Sequence, residues 1–265
     1  MKILTIYDGT LQSKTALRYG IKKTRATGGQ LIVLNVFPSS MFLDYGAGPQ
    51  AEAIARQEWA GYTREAEEII REAGGGAAIR LVAEEGDPEQ KLREYAASEH
   101  PDLVLATPRY KAVTKMPEGR VYLIPGTILV PIDNSDAVTA GVDTVIEEAK
   151  DTGSKVLLLG LIPVHLYSAE ETEELEAVRK STGAAMKKIK KAIVAQKIEV
   201  SEVMRSGYPD EEILKAAGDY SASLIVLPSG GKTPSELTKA AAVLLEEPER
   251  VPQPVCVLRA GESGC

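Results

Sequence analysis

The chain has 265 residues, a formal net charge of −7, 44% apolar residues and 26% charged ones, which is enough for two soluble globular domains with a core each. The acidic balance, with Lys and Arg spread throughout, excludes the concentrated basic face that non-specific nucleic-acid binding needs, and the longest apolar stretch, residues 156–164, is too short to span a bilayer. Met1-Lys2 runs directly into a strand pattern and so does not read as a signal peptide. Cys256 and Cys265 form no metal-ligand spacing and there are only two histidines, so a cytoplasmic protein without disulfides or structural metal is expected.

Residues 2–8 form an apolar, β-branched run, followed by Ala16, Leu17, Gly20, Ile21 and Thr24 at helical spacing up to Gly28-Gly29. Leu31–Phe37 reads as a buried strand and 38–49 as a loop. Ala55, Trp59, Tyr62, Ala66, Ile69 and Ala73 step by 4, 3, 4, 3, 4, the stripe of an amphipathic helix that Gly74-Gly75-Gly76 stops, and Trp59 is expected to pack in the core. A strand at 78–84 leads to Asp87-Pro88, an N-cap followed by proline at the first helical position. Residues 102–106 are the fourth strand. The next helix is short or missing, because only about fifteen residues separate Arg109 from the next strand–helix series.

That second series repeats the first. Strands are predicted at 127–133, 155–162, 198–204, 224–227 and 254–258. Helices are predicted around Val138–Ala149, 170–196, Ile213–Ala217 and 234–246. An offset of 125 residues relates Asp8 to Asp133 and Pro38 to Pro163; one of 121 relates Pro88 to Pro209 and Asp102 to Ser223. The period is far too long for a solenoid and marks a duplicated domain. The predicted domains are residues 1–124 and 125–265. Apolar strands joined by amphipathic helices require parallel sheets covered on both faces, with ligands beyond the carboxyl ends of the strands where strand order reverses.

The run Ile-Leu-Val-Pro-Ile-Asp-Asn-Ser at 128–135, its twin at 3–10, Val33-Leu34-Asn35-Val36, Glu85-Gly86-Asp87-Pro88, Asp102-Leu103-Val104-Leu105 and Pro252–Val257 together resemble the universal stress protein family in its tandem form. The resemblance implies two α/β, flavodoxin-like (Rossmann-like) parallel-sheet domains. It also implies pairing through the last strands, here 121–124 with 254–258, so that one chain imitates the family's dimer as an internal pseudo-dimer. Some members bind ATP. Their aspartate after strand one matches Asp8 and Asp133, and the residue whose backbone meets adenine matches Val36 and Leu161. Their Gly-x2-Gly-x9-Gly-Ser/Thr phosphate stretch is not matched: counting from Gly230, the second and third glycines are replaced by Thr233 and Val243.

Ser229-Gly230-Gly231-Lys232-Thr233 resembles the end of a P-loop, but Val226 stands where the first glycine belongs, so only a loose anion site is left open beside a plain turn. Asp8 and Asp133 read either as nucleotide contacts or as N-caps of the following helices. Arg109, Lys111 and Lys115 read as a solvated basic loop or as phosphate binders, and His165 lacks a partner at recognisable spacing. The expected ligand half is therefore 125–265, through Asp133, Asn134, Ser135, Leu161, Gly230, Gly231, Lys232 and Thr233, with Asp8, Thr10 and Val36 as weaker counterparts in a degenerate first half. The expected function is non-enzymatic stress response or regulation with weak binding of ATP, another adenine nucleotide or an anion. The alternatives are a ligand-free interaction module and, more distantly, a slow ATP hydrolase. Further homodimerisation stays open; no nucleic acid, membrane insertion or metal is expected.

Overall fold

The computed structural model describes residues 1–39, 49–110, 119–133, 141–168, 171–228 and 235–258. Contacts divide the chain into two compact units, Met1–Pro125 and Gly126–Cys265.

The first unit runs β1 (Lys2–Ile6), α1 (Leu11–Thr27), β2 (Gln30–Phe37), α2 (Pro49–Ala73), β3 (Ala78–Glu85), α3 (Pro88–Glu99), β4 (Leu103–Ala106) and β5 (Arg120–Leu123). Its sheet has the order β3-β2-β1-β4-β5, and every pairing is parallel. β1, β2 and β4 are buried almost throughout, as their mainly apolar runs require, with Thr5 and Asn35 the buried polar exceptions, whereas the edge strand β3 alternates in exposure. α1 starts at Thr10, whose hydroxyl accepts from the Ser13 N–H, and ends at Gly28 in the left-handed region at φ 63°. α3 starts as the sequence predicts, with Asp87 accepting from the Gln90 N–H at 2.7 Å and Pro88 at the first turn.

The second unit repeats the plan with β6 (Thr127–Ile132), α4 (Val142–Thr152), β7 (Lys155–Ile162), α5 (Thr172–Val194), β8 (Val200–Ser206), α6 (Pro209–Asp219), β9 (Leu224–Pro228), α7 (Glu236–Glu246) and β10 (Val255–Leu258). Its sheet order, β10-β9-β6-β7-β8, is the same arrangement and again parallel. Each unit is thus a doubly wound, flavodoxin-like α/β sandwich. The strand order reverses beside β1 in one and beside β6 in the other. β6 pairs with β9 only at Ile128 and Leu129; Pro131, which has no N–H to donate, lies beyond the last paired residue.

The units differ in detail where they should correspond. Between β9 and β10 lies α7, while among the described residues no α-helix lies between β4 and β5. At the amino end of the central strand, Asp102 accepts from the Lys2 N–H at 2.7 Å; in the second unit Ser223 accepts from the Thr127 N–H at 3.0 Å. Cys256 on β10 is disulfide-bonded, which corrects the expectation of a chain without disulfides. Its partner lies outside the described residues, and two cysteines so close to the end of the sequence carry no spacing signal that would have disclosed the bond.

Candidate functional site

Asp8 leaves the carboxyl end of β1 at the reversal point. The next residue, Gly9, has φ 76°, and the ring of Tyr62 lies against it so closely that an added Cβ would sit 2.4 Å from Tyr62 Cδ1. Only glycine accepts both the backbone and the contact. Asp8 is not the N-cap of α1, contrary to one sequence reading. Its Oδ1 accepts from the Thr10 hydroxyl at 2.6 Å and the Thr10 N–H at 3.1 Å, and Thr10 in turn caps the helix. Asp8 therefore orients the cap.

The other carboxylate oxygen faces β4. Tyr110 donates its hydroxyl to Asp8 Oδ2 at 3.1 Å, and Arg109 Nη1 lies 3.4 Å from the same atom. Burial alone would raise the Asp8 pKa; the hydroxyls of Thr10 and Ser13, the Thr10 N–H and the Tyr110 hydroxyl outweigh it and hold the carboxyl below its ordinary value. The same carboxylate, with burial as the larger cause, pushes the Tyr110 phenol above its usual range. Among the basic residues suggested by sequence, Arg109 is committed to Asp8; Lys111 and Lys115 lie outside the described residues.

A second polar brace lies behind the first. Tyr7, 1% exposed, donates to Glu65 Oε2 at 2.7 Å, and Lys14 holds the other Glu65 oxygen at 2.6 Å. Asn35 is fully buried; its amide donates to the Tyr7 carbonyl at 2.9 Å and accepts from the Thr63 hydroxyl at 2.7 Å. This ties β1 and β2 to α2. Ile132 and Gly160 occupy the corresponding positions of the second unit, and there the space beside Gly160 is taken by Met186, whose sulfur would stand 2.5 Å from an added Cβ.

These elements enclose a crevice of about 510 Å³. Its apolar walls come from Val36, Phe37 and the amino-terminal part of α2. The helical stripe predicted for α2 accordingly divides. Ala66 and Ile69 enter the core, whereas Trp59 and Tyr62 line the crevice, so the core placement predicted for Trp59 is corrected. Trp59 packs edge-on against Phe37 with centroids 5.8 Å apart. The indole N–H of Trp59 and the hydroxyl of Thr107, just past β4, are buried without a hydrogen-bond partner.

In the second unit Asp133 follows β6 and is 6% exposed, and Leu161 on β7 is 2% exposed. Asn134, Ser135, Gly230, Gly231, Lys232 and Thr233 lie outside the described residues. The helix after that stretch begins at Glu236, and its end is closed by its own capping box: Thr238 N–H donates to Ser235 Oγ at 3.2 Å and Ser235 N–H to Thr238 Oγ1 at 2.8 Å. His165 gains partners that its sequence neighbourhood does not disclose. Its ring stacks on Tyr208 at 4.4 Å and its Nε2 lies 3.7 Å from Glu236 Oε2. Lys239 also takes Glu236, at 2.6 Å. Among the described residues no nucleophile bonds to this imidazole, and no group of three or more His, Cys, Asp or Glu side chains is placed to hold a metal.

Sequence reasoning missed Tyr110, Asn35, Tyr62 and the Tyr7–Glu65 pair. Only Asp8-Gly9 signals a turn locally; the other contacts depend on elements brought together by the sheet.

Comparison with known proteins bears on the whole chain. The model of the universal stress protein family matches residues 1–121 and again 126–244. A universal stress protein of Methanocaldococcus jannaschii is 30% identical over 111 residues, covering 40% of this chain and 65% of that protein's length. The structure of a universal stress protein from Archaeoglobus fulgidus is 18% identical, with TM-score 0.39, over 98% of this chain and 97% of that one. The universal stress protein UspA from Lactobacillus plantarum is 20% identical, with TM-score 0.44, over 51% of this chain and 99% of that one.

Proposed function

The chain belongs to the universal stress protein family, in a form that carries two of its domains in tandem, and from that premise we propose that it is a non-catalytic stress-response or regulatory protein whose second unit binds an adenine nucleotide or another anion weakly. One observation carries this reading: Asp133, nearly buried, follows the central strand at the point where strand order reverses, the place where doubly wound sheets hold ligands. Around it the ligand would be met by Asn134, Ser135, Leu161, Gly230, Gly231, Lys232 and Thr233. Binding is weak because Thr233 and Val243 replace the glycines that bring backbone N–H groups to phosphate, and each lost bond to a charged ligand costs about 1.5–3 kcal/mol. The closed amino end of α7, with Glu236 in its first turn, offers an anion little more.

Titration calorimetry of the full chain with Mg²⁺·ATP tests the proposal. A Kd of about 0.1 mM or weaker, weakened further by Asp133→Ala and Lys232→Ala, with no turnover, is expected. Sub-micromolar binding, or hydrolysis abolished by either substitution, would overturn it. The self-capped α7 also favours a second reading, a ligand-free interaction module, which predicts no heat of binding at all.

The proposal includes pairing of the two units through β5 and β10, which a disulfide between Leu123→Cys and Val257→Cys would report. Among the described residues no helix is long and apolar enough to cross a membrane. A cytoplasmic location is part of the proposal and makes a claim about Cys256: its disulfide opens in a reducing compartment, so alkylation of the denatured protein after acid quenching of the cells labels this buried thiol.

A further inference from the structure

We propose that the crevice of the first unit is a binding site for a small organic cation with a flat apolar body, and that it rejects phosphate-bearing ligands. This site is separate from the nucleotide reading of the second unit and stands whether or not that unit binds ATP.

Charge decides the class of ligand. Among the described residues lining the crevice, Asp8, Glu58, Asp87 and Glu89 are acidic and Arg109 alone is basic. Arg109 is held at Asp8 and Arg93, outside the lining, lies 3.9 Å from Glu89, which leaves Glu58 and Asp87 facing the space without an ion-pair partner among the described residues. In a fold of this kind an anion would look to the positive ends of the helices that open on the crevice. Here both ends are taken by the protein's own groups. The first turn of α1 is closed by Thr10 with Asp8 behind it. That of α3 is closed by Asp87, with Glu89 beside it. A phosphate would meet carboxylates where it needs donors.

The walls point the same way. The rim already draws cations onto its rings: the Arg56 guanidinium lies 4.4 Å from the Phe37 centroid, and that of Arg109 lies 5.8 Å from the Tyr110 centroid. Trp59 and Tyr62 extend the same aromatic lining inward. A space of about 510 Å³ is of ordinary size for a drug-sized ligand. Aromatic faces combined with an excess of carboxylates suit a protonated amine on an apolar body.

The test uses the full chain and its single tryptophan, Trp59, as the reporter, so that the second unit contributes no signal. Phenethylamine, protonated at neutral pH, is titrated at about 20 mM salt against its anionic analogue 3-phenylpropionate and against Mg²⁺·ATP, with Trp59 emission followed. The amine is expected to saturate the change with a Kd at least about ten-fold below that of either anion. Combining Glu58→Gln with Glu89→Gln is expected to weaken the amine by about ten-fold and to narrow the gap. Equal or tighter binding of 3-phenylpropionate or Mg²⁺·ATP at Trp59 overturns the proposal. So does the lack of any saturable response to the amine, or an unchanged affinity in the double variant.

Discussion

Tyr110 donates its hydroxyl to the carboxylate of Asp8, closing 102 residues of chain into one contact beside the crevice. It does so in the half whose fourth helix is missing from the described residues, so a phenol on a short turn, itself 5% exposed, closes over the end of β1.

The Asp8 pKa is lowered in the folded chain, so it contributes stability that is complete above its unfolded value, about 3.9, and is lost as pH falls through the folded value. Tyr110→Phe is expected to cost about 1–2 kcal/mol at neutral pH and to raise the Asp8 pKa. Carboxyl-carbon NMR titration of Asp8 with urea unfolding at pH 7 checks both. An unmoved Asp8 titration means that Thr10 and Ser13 alone set its ionisation.

Asn35 supports a second prediction. Replacing it by Leu strands the buried Tyr7 carbonyl and removes one acceptor from Thr63, which keeps the Trp59 carbonyl at 3.1 Å. A loss of about 2 kcal/mol is expected in denaturant unfolding. The reverse exchange, Gly160→Asn, is expected to destabilise as well, because its Cβ meets Met186. If both variants unfold like the parent, the two units are braced more loosely than these contacts imply.

A third prediction separates conformation from contact at Gly9. Gly9→Ala adds a left-handed residue, about 1–2 kcal/mol, together with the clash against Tyr62. In a Tyr62→Ala background only the first part should remain, which a double-mutant cycle of melting experiments measures. Equal costs in the two backgrounds would show that Tyr62 moves away freely.

Much of this was legible in the sequence, and the residues that were not have a common cause. Strands β1, β2, β6 and β7 are mainly apolar runs, and Asp87-Pro88 announces α3; local chemistry fixes such elements. The tandem duplication is readable from offsets alone, because a repeat needs no tertiary information. Trp59 was misread because a helical stripe states which face is apolar, not whether the strand beyond it runs far enough to cover that face. β2 ends at Phe37, so the face of α2 past that point borders a crevice. Tyr110, Asn35 and the Glu236 partner of His165 arise from elements that only the sheet order brings together.

The carboxylates drawn below their ordinary pKa by bonds inside the fold are unevenly shared. Asp8 and Glu65 lie in the first unit, Glu65 drawn down by Lys14 and Tyr7, while among the described residues of the second unit Glu171 is drawn down by the neighbouring Ser168 on the surface. Each of these groups takes up a proton on unfolding as the medium turns acid, so acid is expected to weaken the first unit before the second, which acid unfolding followed separately in the two units checks.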